Sequence, residues 1–389
     1  MKLGSRMIAM LLALTMLLIC AGCGQTGAPE GSGTPAAGGS AAPETSGGEG
    51  ASYVMGYNNF GQGAYPLDLN EANTKYALEC MGMEITVVNN QFTVDKLITD
   101  AQNQIAQGVD GMVFWSAADT LFQPFSELCE STQTPFVLAD KYPISTDTMD
   151  MLRENPYFVG AISTDDKSAG YEMAQMALED GYKTAVIISA AVGDINNDLR
   201  CEGFEEGFTA GGGQVLTTVH CADPSEAVQK ANDVLSAYGD VDCAYTTSAD
   251  YAVGLISALE SAGRAGEIPI YSNDVDPTVI SGIRDGYVVA AKGAAGPYCG
   301  GLAAALLVNY LDGHPVLDEN GQAPMTNTLP FIDVDADNVD DFETYWIENQ
   351  IFTPEDYQNL LYRYNPDVTW QDYLDVIANY TFENMIAGK

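Results

Sequence analysis

From Tyr53 to Leu311 the chain alternates between short apolar runs and longer stretches of helical period. Tyr53–Tyr57, Glu84–Val88, Asp110–Trp115 and Phe136–Ala139 read as strands, with Leu67–Met81, Val94–Gln107 and Leu121–Ser131 as helices between them. The second of these helices sets Leu97, Ile98, Ala101 and Ile105 on one face and stops at Gly108. Such a rhythm permits few folds, because parallel neighbours need a long crossover and the helix supplies it. A loop through Asn155-Pro156 follows, and the alternation restarts at Tyr157–Ile162. Strands are then expected at Lys183–Ser189, Val215–Val219, Val241–Thr246, Ile268–Ser272 and Tyr287–Ala291. Helices are expected at Lys167–Asp180, Leu199–Ala210, Ser225–Tyr238, Tyr251–Ala262, Pro277–Asp285 and Gly296–Leu311. One sheet with so many parallel strands would be unusually wide. The expected class is therefore α/β, with two lobes facing each other across a cleft between their strand ends.

Both ends of the chain break the pattern. Lys2 and Arg6 precede an apolar run, Met7 to Ile19, too short to span a bilayer. Residues 24–52 are Gly, Ser, Ala, Pro, Thr and Glu, too poor in apolar side chains to offset chain entropy, and read as a disordered tether. Residues 333–389 carry many aromatics, among them Trp346, Tyr357, Trp370, Tyr373 and Tyr380. Their helical spacing reads as a helical extension packed over a lobe or the hinge.

The charge excludes some functions. Asp and Glu total 54 against 15 Lys and Arg, a formal charge of −39. No basic patch for nucleic acid or an anionic membrane surface is expected. Six cysteines follow the tether (Cys80, Cys129, Cys201, Cys221, Cys243, Cys299) without a CxxC pair, and the chain has two histidines, His220 and His314. Neither a metal site nor a cofactor is expected. An exported chain can form disulfides, but these spacings fix no pairing.

The stretch Pro135 to Lys141 is the most informative for function. Its apolar part reads as a buried parallel strand, and Asp140 and Lys141 follow at the carboxyl end, where ligands sit in open α/β sheets. An acceptor beside a donor suits a neutral polyhydroxylated molecule.

Several stretches, in order and at matching spacing, resemble type I periplasmic binding proteins of the ribose- and galactose-binding branch, which feed ABC importers. They are Gln104 to Val113, Pro135 to Asp140, the R-x-x-G-F run Arg200 to Phe204, Val241 to Gly254 and Asn273-Asp274. Cys20-Ala21-Gly22-Cys23 resembles a lipobox, with Cys20 where leucine is usual; an ordinary signal peptide is the alternative. The resemblance implies two Rossmann-like lobes joined by a hinge. It implies residues 1–23 as signal peptide with Cys23 lipidated. Residues 53–162 plus 297–322 would form the first lobe, and 163–296 plus 323–332 the second. Carried over position by position, it implies ligand contacts from Asn59, Phe60, Asp140, Lys141, Arg200, Ser248 and Asp274. Lys141 stands where ribose binders have arginine, whose fork a lysine cannot copy. Ser248 replaces a common asparagine, Ala295 an amide, and Gly61 to Tyr65 is an insertion. These departures leave a different or larger sugar as open as ribose.

The function implied is a monomeric, lipid-anchored, extracytoplasmic solute-binding protein that delivers a mono- or disaccharide to an ABC permease. The alternative is a sensing subunit presented to a membrane receptor. An enzyme is not expected, since neither a Gly-x-Ser-x-Gly elbow nor a His-Glu-x-x-His helix occurs. A regulator sharing the two-lobe core would need a basic helix-turn-helix at the N-terminus, where this chain reads as an export signal.

Overall fold

A computed structural model of the chain describes residues 51–387. The expected signal peptide, the expected lipidation site Cys23 and the expected tether up to residue 50 lie outside the described residues. The strands are β1 (Val54–Asn59), β2 (Glu84–Asn89), β3 (Gly111–Phe114), β4 (Phe136–Ala139), β5 (Phe158–Thr164), β6 (Thr184–Ala190), β7 (Gln214–Cys221), β8 (Cys243–Thr246), β9 (Ile270–Asn273), β10 (Val288–Gly293), β11 (Met325–Leu329) and β12 (Ile332–Asp335). They form two six-stranded sheets, ordered β2-β1-β3-β4-β5-β11 and β7-β6-β8-β9-β10-β12. Within each sheet the first five strands are parallel in the same doubly wound order, which places a crevice at the carboxyl ends. The fold is that of two Rossmann-like lobes.

The chain passes between the sheets three times: after β5, after β10 and between β11 and β12. The expected boundaries are corrected at the last crossing. Residues 323–332 were assigned to the second lobe, yet β11 pairs parallel with β5 of the first, Met325 opposite Ala161. β12, which reaches past residue 332, pairs antiparallel with β10. The cause is visible in the sequence Met325-Thr-Asn-Thr-Leu: an edge strand, half in water, lacks the apolar run of a central one. The loop before Asn155 is also corrected. Thr146–Glu154 is a helix, capped by the Ser145 hydroxyl accepting from the Thr148 N–H at 3.1 Å.

The R-x-x-G-F run has a packing role as well as a charge. Helices Asp166–Glu179 and Ile195–Ala210 touch through glycines. A Cβ on Gly203 would lie 2.0 Å from the Lys167 carbonyl oxygen, and one on Gly170 would lie 2.1 Å from that of Arg200. Phe204 stacks on Tyr245 of β8 with centroids 4.3 Å apart. Gly203→Ala is therefore expected to force the helices apart at a cost of about 3 kcal/mol. A melting temperature unchanged from wild type would refute the close approach.

The helix Gly296–Leu311 is apolar on every face and buried throughout, between the first sheet and the C-terminal extension. Its one interior amide, Asn309, donates to the Leu360 carbonyl (2.8 Å) and accepts from the Tyr362 N–H (2.7 Å), so the extension satisfies it. The six cysteines are free thiols, five of them buried.

Candidate functional site

Asp140 leaves the end of β4 with φ +62°, a left-handed conformation that Asp tolerates better than most residues. The turn carries its carboxylate into the cleft, where it is 8% exposed. Oδ2 accepts from Trp115 Nε1 (3.0 Å) and Asn70 Nδ2 (3.2 Å), while Oδ1 is buried without a partner. Across from it a Cβ on Gly296 would come within 2.9 Å of Oδ1, so glycine keeps that oxygen clear. Lys141 Nζ lies 3.2 Å from Asp194 Oδ1 and 4.3 Å from the centroid of Trp115. Phe60 stacks on Trp115 with centroids 5.2 Å apart.

The second lobe brings Arg200 and Asp274 together. Arg200 donates from Nε to Asp166 Oδ1 (2.7 Å) and from Nη1 to the Thr247 carbonyl (2.7 Å) and Asp274 Oδ2 (3.0 Å). Among the described residues Nη2 makes no hydrogen bond. Asp274 repeats the geometry of Asp140, following β9 with φ +61°. Ser248 stands at the N-cap of the helix Ala249–Ser261, but its hydroxyl makes no capping bond. Two polar contacts join the lobes across the cleft among the described residues, the Lys141–Asp194 ion pair and Asn196 Nδ2 donating to the Asp140 carbonyl at 2.8 Å, and Ile195 of the second lobe packs into the first-lobe core. Between the lobes lies a cavity of about 290 Å³, near the small end of ligand pockets.

Burial sets the electrostatics. It pushes the Asp140 carboxyl up to about 6, against the pull of Lys141 and Arg200. Asp250 is pushed up to about 7, first by burial and then by Asp274, Asp276 and Asp68. Burial opposes ionisation of Asp194 too, but Lys141 and Asn197 overrule it and hold its carboxyl below the usual range.

Of the seven residues singled out from sequence, all but Asn59 line the cavity. Asn59 instead accepts from the Gly61 N–H (3.0 Å) and donates to Glu71 Oε2 (2.8 Å), shaping the inserted loop. Ala295 does not line the cavity either, but its neighbours Ala294 and Gly296 do. Sequence reasoning missed Asn70, Trp115, Asp194, Asn196 and Asp250. Trp115 directly follows β3, and that strand-end position was the available signal. Asp194 and Asn196 sit at a helix start, where Asp and Asn read first as caps.

Residues 57–315 match the family model for the periplasmic binding protein domain. No curated protein sequence matches the chain. Among solved structures it is similar to a glucose-galactose binding protein from Geobacillus stearothermophilus, with 20% identity and a TM-score of 0.62 over 73% of this chain and 98% of that one. It is similar to the periplasmic binding protein of an arabinose ABC transporter from Shewanella sp. ANA-3 bound to L-arabinofuranose, with 19% identity, TM-score 0.66, and 76% and 96% covered. A solute-binding protein of an ABC transporter from Agrobacterium vitis with bound D-fucose gives 18% identity, TM-score 0.64, and 74% and 97% covered. The family match takes in the five parallel crossover strands of each sheet, β1 from Tyr57 on, with the strand ends that face the cavity, and on that extent the chain belongs to the periplasmic binding protein domain family.

Proposed function

We propose that the protein captures a small sugar between its lobes and delivers it to an ABC import permease. The observation that carries this is the unpartnered Oδ1 of Asp140, buried in the wall of the interlobe cavity beside an aromatic face. A buried anion without a donor is costly, and a sugar hydroxyl supplies one. Arg200 Nη2 donates to a second oxygen of the same ligand from the opposite lobe. Trp115 and Phe60 cover the C–H face of the ring. The names of the neighbouring structures, binders of glucose and galactose, arabinofuranose and fucose, support the ligand class. Closure is a hinge motion about the three crossings, and ligand selects the closed state by contacting both lobes at once.

An extracytoplasmic location fits the family, and anchoring through a lipid on Cys23 fits the first residues of the sequence. Among the described residues no helix is long and apolar enough to cross a membrane. Native mass spectrometry of the purified protein tests the reading. A retained mass of a pentose, hexose or disaccharide is expected. A panel of the same sugars at about 100 times Kd should then stabilise the emptied protein by roughly 2.7 kcal/mol. No retained mass together with no thermal shift across the panel would refute a sugar ligand.

A further inference from the structure

The cavity is rich in acceptors and poor in free donors. Asp140, Asp194, Asp223, Asp250 and Asp274 line it, against Lys141 and Arg200. Both cations are engaged by the protein's own carboxylates, Lys141 by Asp194 and Arg200 by Asp166 and Asp274. Two acceptors in the wall are buried and without any donor: Asp140 Oδ1 on a residue 8% exposed, and Asn196 Oδ1 on a residue 3% exposed. The orientation of the Asn196 amide is not arbitrary. Its NH2 group must face the Asp140 carbonyl, which can only accept, so the oxygen turns away. Asp250 lines the same cavity with no cation in hydrogen-bond or ion-pair contact, and its charged surroundings are other carboxylates, Asp274, Asp276 and Asp68. The helix start beneath Asp250 favours a negative charge there but supplies no counter-ion.

A neutral sugar brings about as many acceptors as donors and no charge. A protonated amine brings three donors, no acceptor and a positive charge. Among the described residues no three His, Cys, Asp or Glu side chains are grouped to hold a metal ion. We propose that the ligand is an amino sugar, a polyhydroxylated ring bearing a free ammonium group that the cleft's unpaired carboxylates receive. This rests on the sugar-binding reading and narrows it to a chemical class.

Calorimetric titration of the full protein, emptied by unfolding and refolding, tests the proposal with two sets of three probes. The sets are D-galactosamine, D-galactose and N-acetyl-D-galactosamine, and D-glucosamine, D-glucose and N-acetyl-D-glucosamine. In at least one set the free amine is expected to bind tenfold or more tightly than both its neutral parent and its N-acetyl form. Asp250→Asn is expected to reduce that preference to less than threefold. A neutral parent that binds as tightly as its amine overturns the amino-sugar proposal and leaves the sugar reading standing. An amine preference that survives intact in Asp250→Asn overturns the role given to that carboxylate. No binding by any of the six probes overturns the amino-sugar proposal, and the retained mass and the wider sugar panel decide the sugar reading separately.

Discussion

Asp140→Asn is expected to weaken ligand binding by roughly 100-fold while making the empty protein more stable. The substitution keeps the shape of the side chain. Its amide oxygen can take the place of Oδ2 and accept from Trp115 Nε1 and Asn70 Nδ2. The amide nitrogen then occupies the place of Oδ1 and points a donor where the ligand brings its own donor. Loss of a hydrogen bond to a charged acceptor costs about 1.5–3 kcal/mol, the upper part of which is a factor of roughly 100 in Kd. Alanine would be a poorer probe. The left-handed φ of +62° at this position penalises most residues with a Cβ, whereas asparagine adopts it readily.

The stability gain follows from the raised carboxyl. The folded value of about 6 lies above the ordinary 3.8, so the group favours folding fully below pH 3.8. That contribution is lost as pH rises through about 6, on the order of 2–3 kcal/mol by pH 7. The empty variant should therefore melt higher than the empty wild type at pH 7, and the difference should vanish near pH 4. Part of the effect is conformational. Opening the cleft hydrates the carboxylate, so the same cost drives the empty lobes apart, and the variant should populate the closed form more. Small-angle scattering would show that as a smaller empty particle. Unaltered affinity, or a variant that melts lower than wild type at pH 7, would sink this account of Asp140.

How much of this was legible in the sequence depends on how locally each feature is encoded. The alternation of apolar strands and amphipathic helices sets the doubly wound order, since each crossover constrains its neighbours. Asp140, Arg200 and Asp274 were legible because each follows a recognisable strand or begins a recognisable motif. Asn59 was legible as a strand-end amide, but the direction of its side chain depends on Glu71, a partner nearly two helical turns into the next element. Asp250 carries no local mark at all, because its raised carboxyl comes first from burial and then from Asp274, Asp276 and Asp68, all distant from it in sequence. β11 was lost for a different reason. Its edge position relieves it of the apolar signature, and only pairing with β5 identifies it. The aromatic extension was legible as core, and what it packs against shows why it is there.

Ending the chain before Val339 is expected to abolish cooperative folding. Trp346, Tyr357, Tyr373 and Tyr380 are among the largest fully buried side chains of the described residues, and the three tyrosines touch the Gly296–Leu311 helix at Gly301, Asn309 and Tyr298. Without them an all-apolar helix would face water on one side, with Asn309 left unsatisfied in what remains of the core. The extension also holds both lobes. Arg284 of the second lobe donates to Asp340 at 2.6 Å, and Arg363 of the extension grips Asp312 beyond the first-lobe helix at 2.6 and 2.8 Å. Between these anchors Tyr380 accepts from Trp346 Nε1 at 2.9 Å and donates to the carbonyl of Ala294. Ala294 lies on the second crossing between the lobes with φ +60°, a conformation an alanine does not choose unaided. Trp346→Ala, a milder change than truncation, should cost about 3–5 kcal/mol. Tyr380→Phe removes one oxygen and leaves the Ala294 carbonyl and the indole N–H without partners, at about 1–3 kcal/mol. Because the strap touches a crossing, Tyr380→Phe should also alter ligand affinity from outside the cavity, which no purely local core defect would do. A protein ending at residue 338 that still melts cooperatively within a few degrees of wild type and binds ligand would show the extension to be dispensable.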